Sequence, residues 1–130
     1  MENGILDQKT IESYYKDDLR YVGQTTPFGK QLLITHGKGT KVWDASGKSY
    51  LDFIAGIAVN NVGHANPEVA EAVAKQAREM MHTNVFGKCL IPRQVDLARE
   101  IAMLTPEGLD KTFFTNSGTE AIEGAIKLAR

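Results

Sequence analysis

The chain ends in a pattern that restricts it to α/β folds: an apolar run, a short polar turn and a helix pattern, FFTNSGTEAIEGAIKLAR over residues 113–130. The run KTFFT predicts a strand buried on both faces, as in a parallel sheet covered by helices. From Ser117 onward, apolar residues recur every three or four positions, which predicts a helix. No parallel neighbour for this strand follows in the sequence, so we expect the sheet to be incomplete and the chain to be truncated at Arg130.

The turn between this strand and this helix is a candidate anion site. The first N–H groups of a helix lack intrahelical acceptors, and the helix dipole adds partial positive charge there. Gly118 would allow an anion to approach the backbone, and the Ser117 and Thr119 hydroxyls could donate hydrogen bonds. Ser117 and Glu120 also match a capping box, which needs no ligand. The turn lacks the Walker lysine and the three-glycine dinucleotide pattern, so neither ATP nor NAD is indicated.

Upstream of this pattern, the sequence predicts helices that flank a small β-rich region. Asp44 and Asp52 flank the predicted hairpin and are expected to serve in turns and at edges. The stretch IAGIAVNNVGH is apolar and aperiodic, so it predicts an irregular segment. The predicted elements are a helix over Ile5–Tyr21, a strand near Leu32–Thr35, a hairpin of KVWD and SYLDF, a helix capped by Asn66 that reaches about Met81, and a helix from near Pro92 that ends before Pro106.

Composition and charge argue against several classes of protein. The 130 residues include a single cysteine, Cys89, which excludes an internal disulfide and a zinc site of several thiolates. The formal charge is -1 and no basic run is present, so nucleic acid is not an expected partner. The start MENGILDQKT does not resemble a signal peptide, and no run of about eighteen apolar residues occurs, so we expect no membrane span and a cytoplasmic location.

The remaining polar residues do not have a spacing that indicates metal binding or nucleophilic catalysis. His36, His64 and His82 lack the spacing of metal ligands, and structural or capping roles are expected for them. Lys127 follows Glu123 by four residues, in the order that favours an ion pair on a helix. We therefore expect neither a metal site nor a reactive lysine in this sequence.

Two long stretches, GKGTKVWDASGKSYLDFIAGIAVNNVGHANPEVAEAVAKQ and FFTNSGTEAIEGAIKLAR, together resemble the N-terminal part of the class III aminotransferases. These pyridoxal-phosphate enzymes include acetylornithine, ornithine and 4-aminobutyrate aminotransferases. The resemblance runs from about Thr26 onward. It implies an α/β fold, the N-terminal portion of fold type I, in which residues 1–59 contribute a hairpin segment to the small domain and residues 60–130 begin the large domain with its mixed or parallel sheet.

The resemblance also implies roles for individual residues. Ser117, Gly118 and Thr119 match the turn that holds the phosphate of pyridoxal 5'-phosphate. Ile57 and Phe86 match positions of the substrate pocket, and an isoleucine at the first of these argues against specificity for ornithine. The implied activity is transfer of an amino group from an amino acid or ω-amino acid, of the acetylornithine or 4-aminobutyrate type, to a 2-oxo acid by a homodimer.

The same resemblance places the cofactor lysine, the aspartate that pairs with the pyridinium nitrogen and the arginine that binds the substrate carboxylate beyond Arg130. We therefore expect no catalytic residue in this sequence and no activity from this chain alone. The alternative is that the chain is a binding or interaction module that lacks the cofactor lysine, or one half of a split enzyme.

Overall fold

The structure is a computed structural model that describes residues 4–25, 29, 31–84 and 87–130. The chain forms two compact units, Met1–Met81 and His82–Arg130. The expected division near residue 59 concerns the domains of the complete family fold, and it stays a prediction. None of the helices in the described ranges is long and apolar enough to cross a membrane.

The first unit begins with helix α1, Gln8–Tyr21, which confirms the predicted N-terminal helix. Asp7 determines where it begins, because its carboxylate accepts hydrogen bonds from the Thr10 N–H at 3.0 Å and the Thr10 hydroxyl at 2.7 Å. These bonds, the side-chain bond first, lower the pKa of Asp7. Such a cap satisfies an N–H group that has no acceptor within the helix.

A three-stranded antiparallel sheet follows, in the order β1-β2-β3. Its strands are β1 (Ile34–Lys38), β2 (Lys41–Asp44) and β3 (Ser49–Leu51). The predicted hairpin is confirmed as β2 and β3, whereas β1 begins two residues later than the strand expected at Leu32. The sheet unit has a small core, in which Ala45 is 1% exposed and donates its N–H to the Leu33 carbonyl at 2.8 Å.

The turn between β2 and β3 is organised by the Asp44 carboxylate. This group accepts hydrogen bonds from the Ser46 hydroxyl at 2.6 Å, the Tyr50 hydroxyl at 2.7 Å and two backbone N–H groups, those of Ser46 and Lys48. The two side-chain hydrogen bonds are the main reason that the pKa of Asp44 is lowered from 3.8 to about 2. The expected turn role of Asp44 is therefore confirmed, because these donors favour the ionised carboxylate.

Beyond β3, the chain makes one short turn, α2 (Ala55–Ala58), and then helix α3 (Pro67–Glu79). Helix α3 was predicted to start after Asn66, and the Asn66 Oδ1 does accept hydrogen bonds from the N–H groups of Glu68 and Val69. Proline at the first helical position adds to this signal, because its missing N–H is not needed there. The cap prediction is confirmed.

The second unit contains helices α4, Pro92–Leu104, and α5, Gly118–Leu128. Both were predicted, and α4 ends before Pro106 as expected. The predicted strand KTFFT is wrong: residues 111–115 form no strand, and Phe113 is 79% exposed. A strand requires a partner for its ladder of hydrogen bonds, and residues 87–130 contain no other strand that could supply one.

Candidate functional site

The N-terminus of α5 carries the three residues expected to bind a phosphate group. Ser117 is the N-cap residue, with extended backbone at φ -150° and ψ 160°. Its hydroxyl oxygen accepts a hydrogen bond from the Glu120 N–H at 3.2 Å, and the Ser117 carbonyl accepts the Thr115 hydroxyl at 3.0 Å. A polar residue at the cap thus orients the turn, and the helix that follows directs its N–H groups out of its end.

The N–H groups of Ser117, Gly118 and Thr119 have no hydrogen-bond acceptor among the residues that the structure describes. All three residues are exposed. Added to the helix dipole, these donors make the end of α5 suitable for an anion. The donors of this turn can therefore bind a small anion such as a phosphate group.

The glycine of this turn is not required by the chain itself. Gly118 does not have a left-handed φ, and a Cβ built on it would meet nothing within 4 Å in the described part of the chain. A backbone free of Cβ is nevertheless what a bulky anion needs for a close approach. The open space beside Gly118 is consistent with a ligand that contacts the backbone at this point.

The capping box that offered a simpler interpretation is present only in part. Ser117 makes its half of the box by accepting the Glu120 N–H. The Glu120 carboxylate accepts the N–H of Asn116 at 2.7 Å, one residue before the N-cap whose N–H a complete box would satisfy. The cap and an anion site are therefore compatible, because the cap leaves the central N–H groups of the turn available.

Lys127 is engaged in the way that its spacing predicted. Its Nζ lies 3.0 Å from Glu123 Oε1, and both side chains are largely exposed. The pair lines an open cleft between α5 and the preceding segment at Phe113 and Phe114. An exposed ammonium group beside a carboxylate is not activated as a nucleophile, since activation of a lysine requires desolvation or a nearby cation.

Of the two residues expected in the substrate pocket, Ile57 and Phe86, the structure describes only Ile57. Ile57 lies in the α2 turn of the first unit, and its side chain is 86% exposed. Phe86 lies outside the described residues. The phosphate-binding candidates lie together in the second unit, so the structure places Ile57 and the α5 turn in separate compact units.

Sequence reasoning missed one polar pair, Asp52 and His64. The His64 Nε2–H donates to Asp52 Oδ2 at 2.6 Å, and the side chains are 15% (Asp52) and 24% (His64) exposed. This hydrogen bond is the largest cause of a lowered pKa at Asp52, followed by the N–H groups of Ala55 and Ile54. Asp52 was expected to serve only in a turn or at an edge, whereas in the structure it also pairs with His64. A separation of twelve residues matches neither a helix nor a hairpin period, so no sequence signal indicated the pair.

The sequence matches the family model described as aminotransferase class-III over residues 24–130. Acetylornithine aminotransferase from Methanocaldococcus jannaschii is 53% identical over 100 residues, which cover 76% of this chain and 24% of that protein. The same enzyme from Methanosarcina mazei is 42% identical over 135 residues, which cover 100% of this chain and 33% of the relative. The chain thus spans between about a quarter and a third of the length of these curated relatives.

Solved structures give a consistent result. An (S)-enantioselective ω-transaminase from Thermomicrobium roseum superposes with a TM-score of 0.84 at 34% identity, covering 97% of this chain and 29% of that one. N-acetylornithine aminotransferase from Stenotrophomonas maltophilia superposes with a TM-score of 0.65 at 38% identity, covering 78% of this chain and 27% of that one. The predicted fold class is confirmed: the chain has the N-terminal part of fold type I, with helices and a small antiparallel sheet.

Proposed function

The chain belongs to the class III aminotransferases, and from this premise we propose that it supplies the cofactor-phosphate site and one wall of the substrate pocket of a pyridoxal-phosphate-dependent transaminase. The proposed reaction moves an amino group from an amino acid or ω-amino acid to a 2-oxo acid. The proposed assembly is a homodimer of the full-length protein.

The single observation that carries this proposal is the set of unpaired donors at the N-terminus of α5. The N–H groups of Ser117, Gly118 and Thr119 face solvent without acceptors in the described part of the chain. Gly118 adds open space where a side chain would otherwise stand. A phosphate dianion would accept these hydrogen bonds and would be stabilised by the helix dipole.

When bound, pyridoxal phosphate supplies the electron sink that makes transfer of an amino group possible. The residues of this chain would hold the cofactor by its phosphate. Gly118 and Thr119 would donate backbone N–H bonds, the Thr119 hydroxyl would add a further donor, and the Ser117 hydroxyl would keep the helix end capped. A phosphate held at the N-terminus of α5 would limit the motion of the cofactor, so the residues of this turn would anchor it before substrate binds.

For the amino donor, we propose acetylornithine, with 4-aminobutyrate as the related alternative. Two named relatives that match much of this chain are acetylornithine aminotransferases. Ile57 would contribute an apolar contact to the side of the pocket that receives the donor, and Phe86 is proposed for the same pocket. An apolar side chain at position 57 can neither accept a hydrogen bond from a second ammonium group nor donate one to a carboxylate, which disfavours amino donors that need such a contact.

Two glycines of the same helix provide a matched test in the full-length protein. Gly118→Ala inserts a methyl group beside the proposed phosphate, while Gly124→Ala inserts one at ordinary contact distance from Phe113, 3.4 Å from Cε1. We expect Gly118→Ala to weaken binding of pyridoxal phosphate at least about tenfold, the effect of losing one charge-assisted hydrogen bond. Gly124→Ala should leave that affinity unchanged, and neither variant should alter the affinity for pyridoxal, which has no phosphate.

Two results would lead to different conclusions. Equal affinities for pyridoxal phosphate in the two variants would refute the role of Gly118 while leaving the family assignment intact. Failure of the unmodified full-length protein to bind the cofactor or to transfer amino groups would refute the transaminase proposal. In that case the remaining proposal would be a binding or interaction module without a cofactor lysine.

A further inference from the structure

Residues Ala55–Ala58 form one turn of left-handed helix, which is unfavourable for residues that carry a Cβ. Their φ values are 48° at Ala55, 63° at Gly56, 61° at Ile57 and 61° at Ala58. Only one of these four residues is glycine. Runs of this kind persist only where surrounding contacts hold them, and they are concentrated at functional sites.

The start of the turn is held by one carboxylate. Asp52 Oδ1 accepts hydrogen bonds from the N–H groups of Ile54 and Ala55, each at 2.9 Å. Asp52 is itself attached to the turn between β1 and β2, because its own N–H donates to the Thr40 carbonyl at 2.9 Å. The other carboxylate oxygen, Oδ2, binds His64 at the other end of the segment.

The far end is held by His64. Its imidazole Nε2–H donates to Asp52 Oδ2 at 2.6 Å, and its backbone exchanges two hydrogen bonds with Gly39, at 2.8 and 2.9 Å. The imidazole lies against Gly37, where a Cβ would come within 2.8 Å of His64 Cβ and Cγ. Both ends of the segment between Asp52 and His64 are therefore attached to the turn between β1 and β2 and to each other.

From this arrangement we propose that Asp52 and His64 are positioning residues that hold the left-handed turn and thereby place the Ile57 side chain for substrate. The hydrogen bond between them joins the two ends of residues 52–64, and we call this Asp52–His64 pair the clamp. The segment presents an isoleucine that is 86% exposed, at the position proposed for the substrate pocket. The inference thus rests on the proposed function for its catalytic consequence, but not for its structural one.

The kinetic test compares two aspartates of the same sheet in the full-length protein. Asp52→Ala removes the clamp, and we expect the KM for the amino donor to rise about tenfold with kcat within about twofold, the pattern of a lost binding contact. Asp44→Ala removes a carboxylate with at least as many hydrogen bonds at the other end of β2. It should leave the KM unchanged, because its turn does not carry Ile57.

A second substitution separates positioning from general stability. Ala58→Gly removes the Cβ that makes the left-handed conformation unfavourable, so it should relieve part of the need for the clamp. In the double variant Asp52→Ala/Ala58→Gly, the KM should be at least about threefold lower than in Asp52→Ala alone. Such coupling is expected of two residues that act on one segment. No recovery, or an equal KM effect in Asp44→Ala, would overturn the proposal.

Amide hydrogen exchange tests the clamp without reference to activity. The N–H groups of Val59 and Asn60 both donate to the Ala55 carbonyl at 2.9 Å, so their protection reports on the turn. In Asp52→Ala their exchange should accelerate about tenfold, while the α1 amides are unaffected. If the alanine variant does not fold, the isosteric Asp52→Asn should show the same direction of change.

The two kinds of failure can be told apart. If the unmodified full-length protein has no transaminase activity, the proposed function is refuted. Hydrogen exchange would then decide whether the clamp exists. Unchanged exchange at Val59 and Asn60 in both Asp52→Ala and Asp52→Asn would refute the clamp, whatever the activity.

Discussion

Replacing Gly37 with alanine should destabilise the attachment of His64 to the sheet. Gly37 does not have a left-handed φ, so its backbone accepts an alanine, and reduced freedom of the unfolded chain would by itself stabilise the protein by about 0.4–1 kcal/mol. The new Cβ would lie 2.8 Å from His64 Cβ and Cγ. Carbon atoms pack without strain at about 3.5–4.0 Å, so either the imidazole or the strand must move.

The steric effect should exceed the entropic one. Inserting a methylene-sized group into a packed site costs about 1–3 kcal/mol, which leaves a net loss of about 1–2 kcal/mol. A loss of that size corresponds to roughly a 5- to 30-fold change in the local opening equilibrium. The crowded atoms are Cβ and Cγ, close to the backbone, so the side chain cannot relieve the contact by moving only its end.

Amide hydrogen exchange measures this change where it occurs. The Gly39 N–H donates to the His64 carbonyl and the His64 N–H donates to the Gly39 carbonyl. Both amides should exchange roughly 5- to 30-fold faster in Gly37→Ala. Gly23→Ala is the matched control, because a Cβ at Gly23 meets nothing within 4 Å in the described part of the chain and its φ is not left-handed. Unchanged exchange at Gly39 and His64 in Gly37→Ala would refute the close packing of His64 on Gly37.

Three further predictions concern single side chains. Asn66→Ala should destabilise α3 by about 1 kcal/mol and Asn66→Asp should not, as measured by exchange of the Glu68 and Val69 amides that Asn66 caps. Because the pKa of Asp44 is lowered from 3.8 to about 2, its contribution to stability is complete above pH 3.8 and is lost as the pH falls through about 2. A urea-unfolding series followed by Trp43 fluorescence should show this acid loss reduced in Asp44→Asn. Lys127→Ala should change the free energy of unfolding by less than about 0.5 kcal/mol, since its ion pair is exposed, and a larger change would show that the lysine has another role.

Local signals predicted the helices well. The start of α3 was indicated by Asn66 followed by Pro67, and the structure shows the side-chain cap that this pair implies. The ion pair of Glu123 and Lys127 was predicted from a spacing of four residues, and it forms at 3.0 Å. These features are decided by residues within one or two helical turns, so the sequence around them contains all the necessary information.

Features that depend on distant partners were predicted poorly. The phenylalanines at 113 and 114 indicated a buried strand, but no partner strand lies within residues 87–130, and the segment forms no strand. The pair of Asp52 and His64 was not predicted, because the two residues are brought together by the path of the chain across the sheet. The left-handed turn at Ala55–Ala58 was expected only as an irregular segment, since alanine and isoleucine do not by themselves favour positive φ.

The sequence by itself determined the helix positions, the hairpin, the polar turn before α5 and the family to which the chain belongs. Each of these depends on short-range spacing or on long motifs that can be read directly. The tertiary structure alone decided which N–H groups of that turn remain available, why Gly37 must be small and how Asp52 and His64 close the segment that carries Ile57. These properties depend on atoms that are distant in sequence and close in space, and their energies exist only once the chain has folded.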